Sequence, residues 1–316
     1  MNSRRLKIFY IYIYIYIHIY MKITYGIKGN EIDVTKLCKE RLLTKNNIIV
    51  IPSGDCNRAK YFTDPIYGIK KKIFIENDGI ISEYEDNLQI EINIINNSIN
   101  IINFVTKLEN IHSKLKIKYG SMNQELPEQK MVVRYLRGQE KVLEIGGNIG
   151  RNSLVIASIL ENSNNLVTLE SDVNISKQLS ENRDLNNMKF YIESSALSQR
   201  KLIQKDWETK PSETLEPNFK WVNTIRLEQL KTKYNIKFDT LVLDCEGAFY
   251  YILMDMPEIL DNINLIIMEN DYHILEQKKY VDNILTKNNF YVDYTENGGW
   301  GPCRNNFFEV WKKTVF

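Results

Sequence analysis

Four side chains in the carboxyl-terminal half of the chain have the chemistry to move a proton: Asp244, Glu246, Glu269 and His273. Asp244 and Glu246 stand in the run FDTLVLDCEGAFYY (238–251), Glu269 closes NLIIMEN, and His273 follows in ENDYH. A carboxylate or imidazole held against a substrate can take the proton of an attacking hydroxyl. Unpaired buried carboxylates are costly, so acids that converge on one edge of a fold point to function. Each alone has a plainer reading. An acid at a strand end frequently caps the helix that follows, as Asp244 is placed to do, and a lone histidine serves equally well on a surface or in a core. Two further acids frame a glycine turn: Glu144 opens EIGGNIG (144–150), and Glu170 ends the apolar run Leu166 to Leu169.

These residues need a scaffold that brings strand ends together, and the stretch from Lys141 to Glu170 supplies its signature. It reads as an apolar strand (Val142 to Ile145), a turn containing Gly146, Gly147 and Gly150, an amphipathic helix from about Asn152 to Leu160, and a second apolar strand (Leu166 to Leu169). This is half of a nucleotide-binding βαβ unit, and an acid about twenty residues past the turn suits ribose hydroxyls, so an adenosine-containing cofactor is expected. A dinucleotide fingerprint would place glycine at 148 and 151, where the chain has Asn148 and Arg151, which disfavours a nicotinamide. An ordinary tight turn would also use glycine. Downstream, a helix from Asn174 to Leu185, a strand from Lys189 to Glu193 and then Ser194-Ser195-Ala196 continue the alternation, and strand ends converging at a switch point put Ser194 and Ser195 near an adenine.

The turn Glu144-x-Gly146-x-x-x-Gly150 resembles the first motif of class I S-adenosylmethionine methyltransferases. LVLDCEGA, preceded by TIRLEQL and followed by LIIMEN, resembles the FkbM family of S-adenosylmethionine-dependent O-methyltransferases, over roughly Lys141 to the carboxyl terminus. The resemblance implies an α/β fold with a Rossmann-like sheet of seven strands, the last hairpin antiparallel. It implies S-adenosylmethionine as cofactor, held by Glu144, Gly146, Gly147, Asn148, Gly150, Asn152, Glu170, Ser171, Ser195, Ala196 and Asp244. An acid at the Glu144 position in such enzymes orders the turn or contacts the cofactor's ammonium. The reaction implied is methyl transfer to a hydroxyl of a sugar, glycan or related small molecule, with Asp244, Glu246, Glu269 and His273 as proton acceptors. Two departures matter: Val242 stands where the family pattern has lysine, and Phe249 where it has glutamate, so acceptor identity does not carry over. Asp244 with Glu269 and Asn270 is similar to the ligand set of metal-dependent catechol-type methyltransferases, and such oxygens suit Mg²⁺. With one ligand type altered, a divalent metal is not favoured. DCEG is no NPPY motif, which disfavours transfer to an amide or amine nitrogen of that type. The rival readings are a non-catalytic glycan-binding protein with a vestigial pocket and a nicotinamide oxidoreductase.

Across 316 residues, 43% hydrophobic, there is enough chain for one large domain or two small ones. A net charge of +1, from 41 basic and 40 acidic residues, gives no reason to expect a polyanionic partner, and no basic stripe interleaved with aromatics suggests nucleic acid. Cys38, Cys56, Cys245 and Cys303 are widely spaced and form no C-x-x-C pair, which fits a reducing compartment, the cytoplasm.

Residues 1–20 end in IYIYIYIHIY, an apolar run too short to span a bilayer; its dipeptide regularity suggests a translated AT repeat ahead of a start at Met21, with a membrane-surface or partner-binding segment as the alternative. Residues 21–76 show short β-type runs punctuated by turns, a small β-rich module. It resembles, loosely, an amino-terminal module attached to glycan-modifying enzymes of some bacteria and large DNA viruses; a viral origin would make the compartment the host cytoplasm. Asp55, Arg58 and Asp64 near its turns either hold a saccharide or stabilise the turns. Residues 77–126 are expected to form a strand or two and a connecting helix carrying a solvated His112, and 127–316 the methyltransferase domain. Pro127 opens a helix that Gly138 stops, placing Tyr119, Gly120, Glu128 and Gln129 near the mouth of the site. Trp207 and Trp221 are candidates for an acceptor groove, and Trp300 for its cover.

Overall fold

The computed structural model describes residues 21–206 and 208–314; the isoleucine–tyrosine repeat and Trp207 lie outside the described residues. The chain divides into two compact units between Lys107 and Leu108.

The first unit is built from short strands whose alternate side chains turn inward. β1 (Lys22–Ile27), β2 (Asn30–Asp33), β4 (Lys72–Asn77) and β5 (Ile80–Tyr84) form an antiparallel sheet in the order β2-β1-β4-β5, and β3 (Ile48–Ile51), β6 (Leu88–Asn93) and β7 (Ile99–Asn103) form a second in the order β3-β6-β7. Tyr25, Ile51, Phe62, Ile73 and Ile90 are fully buried in its core. Two helices absent from the β-only reading, α1 (Thr35–Arg41) and α2 (Asp55–Phe62), complete it. They are short, and α1 buries only Cys38, so neither carries a readable 3.6-residue stripe. The polar residues flagged near the turns are committed to this unit's own structure. Arg58, with no solvent exposure, donates to the carbonyl oxygens of Pro52, Glu85 and Leu88 at 2.9, 3.0 and 2.7 Å. Asp55 and Asp64 flank the buried Lys71 ammonium at 3.0 and 2.7 Å, and Asp55 also accepts from the Tyr25 hydroxyl at 2.6 Å.

The division between units falls within α3 (Phe104–His112). His112 is not the solvated residue expected: its Nε2 lies 2.6 Å from Gln129 Oε1, because Gln129 is buried on α4 (Leu126–Tyr135) and needs partners there. The second unit then lays down β8 (Val142–Ile145), α5 (Arg151–Ile159), β9 (Leu166–Leu169), α6 (Val173–Leu185) and β10 (Tyr191–Glu193). After an insertion come α7 (Leu227–Tyr234), β16 (Thr240–Leu243), α8 (Ala248–Asp255), β17 (Leu265–Glu269), α9 (Leu275–Lys287), β18 (Phe290–Glu296) and β19 (Phe308–Lys313). The seven strands run β10-β9-β8-β16-β17-β19-β18, the first five parallel and β19 antiparallel to both neighbours. This is a Rossmann-like α/β sheet of seven strands whose last hairpin is antiparallel, the fold class expected. VLEI, LVTL and TLVL are buried at every residue, as strands covered on both faces must be.

Strand order reverses between β8 and β16, so their carboxyl ends open a crevice at the switch point, where ligands of open α/β sheets bind. The insertion contains a parallel pair, β11 (Ala196–Leu197) with β15 (Thr224–Ile225), and a small antiparallel sheet, β12 (Leu202–Lys205), β13 (Glu208–Pro211) and β14 (Lys220–Val222). Within that sheet β12 pairs antiparallel with β13 on one edge and with β14 on the other. Among the described residues no helix is long and apolar enough to cross a membrane.

Candidate cofactor and acceptor site

The glycine turn is clamped between two strand ends. The backbone N–H groups of Gly146 and Gly147 donate to the Leu169 carbonyl at 3.0 and 2.9 Å, and Asp244 N donates to the Ile145 carbonyl at 3.1 Å. Gly146 has φ +92°, and a Cβ there would lie 1.5 Å from the Asp244 carbonyl oxygen, so only glycine fits. At Gly147 a Cβ would meet Thr168 Oγ1 at 2.3 Å; Gly150, φ +94°, precedes α5. Glu144 lies beneath this turn, 2% exposed, and accepts a hydrogen bond from Ser153 Oγ in the first turn of α5. Burial pushes its carboxyl up to about 7, with the hydroxyls of Ser153 and Thr168 opposing. Between the two roles expected of such an acid, its geometry is that of ordering the turn. Asn152 is likewise buried beside it, its Oδ1 without a hydrogen-bond partner.

Above the turn lies a cavity of about 520 Å³. Of the residues expected to hold a cofactor, Gly146, Asn148, Glu170, Ser171, Ser195, Ala196 and Asp244 line it, whereas Glu144, Gly147, Gly150 and Asn152 do not. The Glu170 carboxylate accepts from Asn148 N at 2.9 Å with one oxygen and from Asp172 N at 2.8 Å with the other. Burial still raises its pKa. Asn148 adopts φ +45° to aim its N–H at that carboxylate.

The floor is acidic. Asp244, at the end of β16, and Glu269, at the end of β17, meet Glu128 from the first turn of α4, with one carboxylate oxygen from each within 4.8 Å of the others. Burial, then the charges of Glu125 and Glu128, holds Asp244 well above the usual carboxylate range. Burial, then a carboxyl–carboxyl hydrogen bond with Glu128 and the charge of Asp244, drives Glu269 to about 11. Glu246, exposed on the cavity rim with φ +50°, is raised by desolvation and pulled back by His273. Asp271, behind it, accepts from Gly247 N at 2.7 Å and is pushed by burial to about 7.

The structure brings Asp244, Glu246 and Glu269 onto one cavity and leaves His273 outside its lining, exposed, its ring 4.4 Å from that of Trp300. Asn270 does not join Asp244 and Glu269: it is fully buried, its Nδ2 donates to the Asn306 carbonyl at 2.7 Å and its backbone N to Phe307 at 2.7 Å. Of the four residues expected near the mouth, Glu128 lines the cavity, while Gln129 turns to His112 and the carbonyls of Met122 and Gln124, and Tyr119 OH to Glu181. Trp221 is exposed and outside the lining.

Several lining residues were not foreseen. Glu125, at φ +56° before α4, takes Arg151 Nη1 at 2.5 Å and Asn148 Nδ2 at 3.2 Å, so the residue occupying the third glycine position of a dinucleotide motif instead fastens the loop ahead of α4. Leu202, Gln204 and Thr209 come from the inserted sheet, and Gln204 Oε1 has no hydrogen-bond partner. The one legible signal for this group was Pro127, which fixes the helix start that sets Glu125 and Glu128 at the mouth.

No protein-family model matches the sequence, and no curated protein does. Solved structures similar to the chain include a putative O-methyltransferase from Klebsiella pneumoniae, 16% identical over 67% of this chain and 90% of that one, TM-score 0.38. Others are the O-methyltransferase from Bacillus cereus in complex with S-adenosylhomocysteine, 14% identical over 67% of this chain and 91% of that one, TM-score 0.39, and the ribosomal protein L11 methylase from Lactobacillus delbrueckii subsp. bulgaricus, 14% identical over 63% and 82%, TM-score 0.39.

Proposed function

We propose that the protein is an S-adenosylmethionine-dependent O-methyltransferase of the FkbM type that methylates a hydroxyl of a sugar, glycan or related small molecule. Residues 127–316 are its catalytic part and residues 21–76 an accessory module of the kind found on glycan-modifying enzymes. The observation that carries the reading is the switch-point cavity itself: a Gly146 backbone pressed onto the Asp244 carbonyl, with Glu170 at the end of the next strand and acids opposite. The residues fit the cofactor. Glu170 has its two oxygens oriented by backbone N–H groups at the position suited to ribose hydroxyls, and Ser195 and Ala196 close the far end where an adenine would lie.

S-adenosylmethionine, when bound, supplies a methyl group on a sulfonium, and attack by the acceptor oxygen forms the C–O bond as the C–S bond breaks and its electron pair returns to sulfur. The protein's part is to hold the hydroxyl in line at about 3 Å and to receive its proton. Burial and the neighbouring Glu128 and Asp244 raise the pKa of Glu269. Asp244 and Glu246 are the acceptors on the cavity, and His273 acts on Glu246 through its charge.

Calorimetry with S-adenosylmethionine, S-adenosylhomocysteine and NAD tests this reading. A ligand at about a hundred times its dissociation constant stabilises the fold by about 2.7 kcal/mol. Response to both sulfur compounds and none to NAD is expected; silence from both sulfur compounds overturns the proposal.

A further inference from the structure

Six carboxylate side chains line the cavity, Glu125, Glu128, Glu170, Asp244, Glu246 and Glu269, and no described lysine, arginine or histidine does. Two of the six are compensated within the protein, Glu170 by two backbone N–H groups and Glu125 by Arg151. Four remain, and three of these crowd together. Because the oxygens of Glu128, Asp244 and Glu269 lie within 4.8 Å of one another, some point is no more than about 2.8 Å from all three, the length of a charge-assisted N–H···O bond. A second kind of observation agrees. Glu128 is 7% exposed and its Oε2 has no hydrogen-bond partner; Gln204 Oε1, 6% exposed on the cavity's inserted-sheet wall, has none either. Both orphaned atoms are acceptors, so the missing ligand brings N–H or O–H donors. S-adenosylmethionine carries a sulfonium, an ammonium and a carboxylate, a net single positive charge, and the lining adds no cationic side chain of its own among the described residues.

We propose that the acceptor carries a protonated amine beside its reacting hydroxyl, an amino sugar or similar amino alcohol with the nitrogen unacylated, and that Glu128, Asp244 and Glu269 receive its ammonium. The inference rests on the methyl-transfer reading and names the class of its substrate. An ammonium has three N–H donors for three oxygens and replaces the protons that the crowded carboxyls otherwise share. A magnesium ion would demand near-octahedral oxygen ligation at about 2.0–2.1 Å, and Asn270, the neighbour that would extend such a set, does not line the cavity.

The test titrates the full chain, saturated with S-adenosylhomocysteine and in the presence of a chelator, with glucosamine, galactosamine and their N-acetyl counterparts. The free amines are expected to bind at least about tenfold more tightly than the N-acetyl sugars, a charge-complementarity effect. In Glu128→Gln that preference is expected to shrink severalfold, while thermal unfolding shows that the variant is folded. Equal affinity for amine and N-acetyl sugars, no binding of either amine, or binding that appears only when magnesium replaces the chelator overturns the proposal. Preference for the amines in a protein that fails to bind S-adenosylhomocysteine supports the ammonium-binding site and overturns the methyl-transfer reading instead.

Discussion

At Glu144 the carboxyl is held near 7, against 4.5 in the unfolded chain, because it is buried beneath the glycine turn. As pH rises from about 4.5 to 7 the unfolded state gives up this proton first, so the native state binds more protons across that window and loses stability, by about 3 kcal/mol for a shift of this size. Below the window the contribution is fully present; above it the loss is complete. Glu144→Gln is expected to flatten this part of the profile, read as a smaller fall in urea stability between pH 4.5 and 7.5 than the wild type shows. Identical falls in both proteins would mean that Glu144 titrates normally. Gly146 is constrained in a different way, by a backbone carbonyl that cannot move aside. Gly146→Ala adds both a clash and left-handed strain, so a stability loss of at least about 2 kcal/mol is expected, together with loss of the thermal shift induced by S-adenosylhomocysteine. Retention of that shift would show that the turn does not form the cofactor wall.

Among the elements, α6 links the Glu170 side of the cavity to the inserted sheet. Its N-cap, Asp172, accepts from Asn174 N at 2.8 Å and Ile175 N at 3.1 Å, pairs with Lys220 on β14, and presents its own N–H to Glu170. Asp172→Ala is expected to cost about 1 kcal/mol or somewhat more through the lost cap, whereas Asp172→Asn keeps the cap, loses only an ion pair whose lysine end is half exposed, and costs less, about 0.5–1 kcal/mol. Urea midpoints measure both; equal losses would assign the effect to Lys220 rather than to the helix end. The parallel strands were legible in outline because each is a short apolar run buried on both faces, and Val142 to Ile145 and Leu166 to Leu169 fall where the pattern put them. Strand β13 and the helices α1 and α2 were not, since a short element with at most two buried residues leaves almost no periodicity to read.

Over the whole chain, 41 basic and 40 acidic residues nearly cancel, yet the cavity lining holds six acids and, among the described residues, no basic side chain. Composition averages over a charge separation that exists only after folding. Each of the two units has its own buried core, and a fragment of residues 104–316 is expected to unfold cooperatively and to bind S-adenosylhomocysteine with an affinity within about threefold of the full chain. A fragment that fails to fold, or that folds without binding, would show that the first unit is required. The four cysteines are free thiols in the folded chain, so its stability owes nothing to disulfides among them.

The sheet strands, the glycine turn and the acids at strand ends are legible in the sequence, because these rest on local properties: apolar runs, the backbone freedom of glycine, and the positions that follow a strand. The sequence also marked Asp244, Glu246, Glu269 and Glu170 for one edge of the sheet, where they now line one cavity. Long-range packing set the rest: Glu144 lies beneath the turn, His273 packs against Trp300 at a tilt outside the cavity, and Asn270 Nδ2 donates to Asn306 while Glu128 takes the place beside Asp244 and Glu269. Those outcomes depend on which neighbour buries each polar group and what hydrogen bond it can find there, and such neighbours come from elements as much as 141 positions apart in the chain, as Glu128 and Glu269 do.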